Sequence, residues 1–172
     1  MYSSGKGINA DTFQYKGVLI DSTDARLFPP EVAEGMMNGF TGIYVCYTFA
    51  IDDSHTGIVA RTPAMYDASS IKLFTLDNER DTLTGFIELG ELWGDDGNMV
   101  EKTSWLYRDQ NMNLHAYTWV QETYDHSVEE ENDTSVERTN YYYVLNLSKP
   151  KYDTVNRNAG NLLKTFQAVN RR

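Results

Sequence analysis

MVEKTSWLYRDQNMNLHAYTWVQETY, residues 99–124, is the stretch whose reading decides the fold. Two Trp, three Tyr and one His stand among acids, and a polar RDQNMN segment divides the stretch into halves. Aromatic and β-branched residues fit a pleated, half-buried surface, while Asp and Asn favour turns, so the stretch reads as a β-hairpin. Successive strand residues point to opposite sides, and a register therefore sorts the side chains. With Tyr107 opposite His115, Trp105 falls opposite Tyr117, Thr103 opposite Trp119 and Glu101 opposite Gln121, all on one ring-bearing side. The other side pairs Lys102, Ser104 and Leu106 with Val120, Thr118 and Ala116, a mixed set suited to partial exposure. A slip of one residue would exchange the two sides.

The pattern extends in both directions. A two-residue turn at Asp96-Gly97 suits a tight hairpin and brings Phe86 and Glu88 to the ring-bearing side. Further strand-like runs cover residues 12–20, 41–51, 57–66, 70–76, 82–93 and 137–147, separated by turn chemistry such as DDSHTG and DNERD. With the two halves of the quoted hairpin, eight strands result. The Pro-rich start of FPPEVAEGMMNGF (28–40) predicts a short helix before the second strand. From Thr154 the apolar residues Val155, Leu162, Leu163, Phe166 and Val169 approach helical spacing, which predicts a C-terminal helix over 154–172 packed outside the sheet. Residues 1–11 read as a flexible N terminus to a single domain spanning 1–172.

Bulk properties narrow the function. An apolar fraction of 41% with 13% aromatic residues supports a packed core. A net charge of -10 repels phosphate backbones, which argues against nucleic acid as a partner. The lone Cys46 offers neither an internal disulfide nor a thiolate metal set. No apolar run is long enough to predict membrane insertion by a helix. The compartment is left open between the cytoplasm and secretion with a leader removed. No GxSxG, Walker or dinucleotide fingerprint occurs, so no cofactor is expected. His55 beside Asp52 and Asp53 reads as turn chemistry in preference to a metal set.

Eight hairpin-linked strands suit an all-β fold, an antiparallel up-and-down β-barrel, with a β-sandwich as the alternative. GFTGIY (39–44) opens a strand after a short helical segment, at the place where lipocalins carry Gly-x-Trp, and a helix follows the last strand. Tyr44 stands where the Trp would be, and TNY (139–141) comes too late for the Thr-Asp-Tyr motif of that family. On these features residues 36–170 resemble the lipocalin and wider calycin families, which implies a cavity that binds a small molecule.

The inner surface of such a barrel would hold Phe86, Trp105, Tyr107, Tyr117 and Trp119, together with Glu88, Glu101, His115 and Gln121. A buried carboxylate needs a partner, water or a ligand, so this set points to an incompletely filled interior. Three functions fit. The first is a binder of a small apolar or aromatic molecule, using the rings as wall and Glu101, His115 or Gln121 to fix its polar end, with Glu88 also lining the site. The second is a cofactor-independent isomerase or cyclase in which Glu101 and His115 move a proton. The third is a structural or interaction module without a ligand, and self-association into a homo-oligomer is left open.

Overall fold

A computed structural model describes residues 15, 17–37, 42–64, 70–129, 132–148, 152–156 and 159–169. Its strands are β1 (Val18–Leu19), β2 (Tyr44–Ala50), β3 (His55–Thr62), β4 (Ser70–Asp77), β5 (Thr82–Asp95), β6 (Asn98–Arg108), β7 (Leu114–Asp125), β8 (Val136–Asn146) and β9 (Asp153–Asn156). They form one nine-stranded antiparallel sheet in sequence order, a meander whose outer members are β1 and β9. Seven of the eight expected strands are present and the first, 12–20, is represented by the two-residue β1, with 12–14 and 16 outside the described residues, but the expected barrel is not present. Closure requires a ladder between the first and last strands, and among the described residues there is none. Each strand is hydrogen-bonded to the next in the chain, so the strand order has no crossover. The expected flexible segment, residues 1–11, lies outside the described residues.

The ninth strand corrects the expected C-terminal helix. Residues 153–156 add to β8, and Val155, assigned to the helical stripe, is an exposed strand residue. The helix begins later, with a 3-10 turn at Gly160–Leu162 that runs into α2 (Leu163–Val169). Val-Asn and Thr-Val steps favour extended backbone over helix, which explains why the apolar spacing misled. The helix expected within 28–40 is α1 (Pro30–Met37), opened by Pro at a position where its missing N–H costs nothing.

The chain divides into two compact units, residues 1–92 and 93–172. In the first, β2 pairs with β3, β3 with β4 and β4 with β5, with register shifts in the first and last of these ladders. Ala25, Phe28 and Val32, from α1 and the segment before it, pack with Ile43, Ala60 and Phe74. Phe28 meets Phe74 edge-on with ring centres 4.8 Å apart, and Phe86 lies 5.4 Å from Phe74. Further along the same face the buried Lys72 donates to Ser70 Oγ and forms an ion pair with Glu88 at 3.4 Å.

In the second unit Asp96 (φ 45°) and Gly97 (φ 80°) form the turn into β6, with the two positive φ angles that a tight hairpin requires. The β6–β7 ladder has the register read from the sequence, from Met99 opposite Thr123 to Arg108 opposite Leu114. Trp105, Tyr107, His115, Tyr117 and Trp119 therefore share one face, joined on β8 by Tyr142 and Val144. The opposite side departs from expectation. Leu114, Ala116 and Thr118 are buried there, so the first half of β7 is enclosed on both faces.

Candidate functional site

The ring-bearing face of the second unit is covered by α2, not bypassed by it. Phe166 stacks on Tyr117 with ring centres 4.6 Å apart, and lies 5.1 Å from Tyr107 and 6.0 Å from Trp105. Trp105 and Tyr117 are 5.7 Å apart across the ladder. Leu162, Leu163 and Tyr142 pack around the same cluster. Offset aromatic contacts of this kind contribute about 0.5–1.5 kcal/mol each beyond area burial.

The cluster is apolar in its walls and incomplete in its hydrogen bonding. Trp105 Nε1, Tyr117 Oη and His115 Nδ1 are buried and have no hydrogen-bond partner among the described residues. Tyr117 is fully enclosed and His115 is 8% exposed. Burial, with Tyr142 as a second contribution, pushes the Tyr117 hydroxyl up to about 12. That hydroxyl is neutral at every physiological pH and serves as a donor and acceptor, not as an anion.

His115 is held from its other nitrogen. Its Nε2 lies 3.1 Å from Asp109 Oδ2, and its ring stacks on Tyr107 at 5.4 Å. Asp109 sits in the β6–β7 turn, where its carboxylate also accepts from the Asn111 and Asn113 backbone and from the Asn113 amide. The Asn113 side chain is the largest influence and His115 a further one, together holding the carboxyl at about 2. In the neutral tautomer that directs Nε2–H to this carboxylate, Nδ1 carries the lone pair.

Other sequence-selected residues lie elsewhere. Glu101 stands opposite Gln121 on the face that carries His115. The six-residue offset between Glu101 and Tyr107, the partner of His115, separates the proposed acid and base by about 20 Å. The carboxylate beside His115 is thus Asp109, a residue read only as part of a turn. Glu88 and Phe86 belong to the first unit, the former with Lys72 and the latter with Phe74. Trp119 and Gln121 both donate to Asn140 Oδ1, at 2.7 and 3.1 Å.

Beside that amide, Asn140, Tyr141, Tyr142 and Tyr143 line a cleft of about 620 Å³, with Thr154 and Gly160 on its other side. A Cβ on Gly160 would stand 3.1 Å from the Tyr142 ring, so glycine lets the chain pass that ring closely.

His55 bonds Asp52 within its turn at 2.9 Å, and no group of three His, Cys, Asp or Glu suited to a metal occurs among the described residues. No helix of the described residues is long and apolar enough to cross a membrane. No protein-family model, no curated protein and no solved structure matches the chain, so the likeness to lipocalins rests on the residues quoted for it.

Proposed function

We propose that the second unit binds a small, partly apolar molecule against Trp105, Tyr107 and Tyr117, with His115 Nδ1 and Tyr117 Oη fixing its polar end. The observation that carries this reading is the set of buried, unpartnered polar atoms inside a ring-walled cluster. Each such atom costs about 1–3 kcal/mol when left unpaired, and a core built only for stability would use Phe in their place. An aromatic molecule bearing a hydroxyl or carbonyl would pair these atoms and keep the ring contacts. Phe166 supports an aromatic occupant, since its ring already stacks on Tyr117.

The test is calorimetric titration with benzene, phenol, cresols and benzamide. The expected result is that phenols bind more tightly than benzene, that Tyr117→Phe erases this preference, and that Phe166→Ala strengthens binding by opening a ring-sized hole. Absence of binding by the whole series to both the unmodified protein and Phe166→Ala would sink the reading.

A second reading, proton transfer by an isomerase or cyclase, is favoured by one observation. The Asp109 carboxylate orients the His115 imidazole so that a buried lone pair on Nδ1 faces no protein donor among the described residues. In that reading His115 is the base and Asp109, not Glu101, positions it. Exchange of a carbon-bound proton of a bound ketone, lost in His115→Gln with binding retained, would favour it over simple binding.

A further inference from the structure

β8 is only partly covered along its outer edge. β9 pairs with Val144, Leu145 and Asn146, and a register shift lies between the first two of these. Residues 136–143 have no strand beside them on that side among the described residues, and residues 136–141 are all exposed. No Lys, no Pro and no bulge falls within VERTNYYY, whose charges are Glu137 and Arg138 alone. The other outer edge of the sheet differs. There β2 has a register shift between Val45 and Tyr47, and the Tyr15 ring stands edge-on to Tyr47 at 6.2 Å.

The cleft identifies the kind of occupant. Side chains alternate along a strand, so consecutive residues can line one cavity only where its wall is the strand's own backbone edge. Asn140, Tyr141, Tyr142 and Tyr143 line this one, together with Thr154, Gly160 and Asn161. A groove of that form accepts an extended chain that continues the ladder.

Charge identifies which chain. The protein as a whole carries -10, which opposes contact between copies, yet residues 136–143 hold one acid, Glu137, and one base, Arg138. This is a neutral, self-complementary segment in an acidic protein. Two identical strands paired antiparallel within one sheet are related by a two-fold axis, with one residue facing its own copy. With Asn140 at the axis, residues 137–143 overlap, Arg138 stands opposite Tyr142 and Glu137 opposite Tyr143, each contact made twice. Cation-ring and carboxylate-hydroxyl pairs fit those positions.

We infer that the open edge of β8 joins the same edge of a second copy of this chain, forming an antiparallel dimer across residues 137–143. The inference stands apart from ligand binding, because it uses the backbone edge of β8, and of its side chains Tyr142 alone also packs against the Trp105, Tyr117 and Phe166 cluster.

Sedimentation equilibrium of the full chain from about 1 μM to about 1 mM tests it over the range of transient and stable contacts. The expected result is a monomer–dimer equilibrium. Arg138→Glu makes both edges acidic and raises the dissociation constant at least about tenfold at low salt, an effect that added salt reduces.

Thr139→Pro and Asn140→Pro complete the test, because neighbouring strand residues direct their N–H groups to opposite edges. One of the two abolishes the dimer with an unchanged circular dichroism spectrum, and the other disturbs the β7 ladder. A monomer at every concentration overturns the inference, as does a dimer that survives Arg138→Glu and whichever proline variant stays folded.

Discussion

The two units bury aromatic clusters of similar size in opposite chemical styles. Around Phe74 the rings are Phe28, Phe74 and Phe86, which have no polar atoms, and the unit's two buried cations are Lys72, paired with Glu88 and Ser70, and Arg61, whose guanidinium lies 4.2 Å from the centre of the Tyr44 ring. Around Tyr117 the rings are Trp105, Tyr107, Tyr117 and His115, and three of their polar atoms lack partners among the described residues. The first arrangement is what stability alone selects: apolar rings packed and charges compensated. The second keeps polar groups where they cost free energy, and such local departures mark places where a protein does something besides fold. The proposed binding of a small molecule rests on this contrast.

The most forceful way to break this contrast is to remove a ring from the scaffold. Phe74 is fully enclosed and touches two other phenylalanines, so Phe74→Ala should cost about 3–5 kcal/mol in urea denaturation. Phe166→Ala, taking a half-buried ring from a short terminal helix, should cost clearly less. Equal losses would mean that the Tyr117 cluster is as essential to folding as the Phe74 core.

Polar groups sharpen the contrast further. Lys72→Met keeps the aliphatic stem and removes the charge, which leaves Glu88 without its ion pair and should cost about 2–3 kcal/mol. Tyr117→Phe also keeps the packed body and removes the polar end, yet it should stabilise by about 1 kcal/mol, because the lost hydroxyl had no partner. The same change removes a step near 12 from the tyrosine absorbance titration. The pKa of Tyr117 is raised above that of the unfolded chain. Its contribution is therefore fully present below about 10 and lost as pH rises toward about 12. A destabilised Tyr117→Phe would show that the hydroxyl is satisfied after all and would withdraw the main support for a ligand.

Much of this was legible beforehand. Period-two alternation and the Asp96-Gly97 turn carried enough information to fix the β6–β7 register and the company of Trp105, Tyr107, Tyr117 and Trp119, because one buried face penalises every slipped pairing. Closure was not legible, since whether the first and last strands of a meander meet depends on summed twist and coiling, to which no single residue testifies. The helical stripe Leu162, Leu163 and Phe166 was visible, but an apolar stripe does not name the surface it covers. The separation of Glu101 from His115 was available from the register itself, which already set them six residues apart. Asp109 was also within reach: a turn that follows Tyr107 must return beside His115, and an Asp there has both backbone amides and an imidazole to accept from.

That turn yields the smallest and most specific effect. Asp109 is held at about 2 against an ordinary 3.8, first by the Asn113 amide and then by His115 and two backbone N–H groups. The folded value is depressed, so what Asp109 adds to stability is complete above the unfolded value and fades as pH falls through the folded one, between about 4 and about 2. Carbon-13 carboxyl titration should place its midpoint there. Asn113→Ala should raise that midpoint further than His115→Phe does, because the amide is the stronger influence. The two variants also separate the roles of the turn. Asn113→Ala should leave the His115 Nε2 contact with Asp109 in place and phenol binding nearly unchanged, while His115→Phe should spare the turn and weaken binding. If loss of Asn113 weakened binding as much as loss of His115, the turn's order would be what shapes the ring-walled cluster, and Nδ1 would not be its polar anchor.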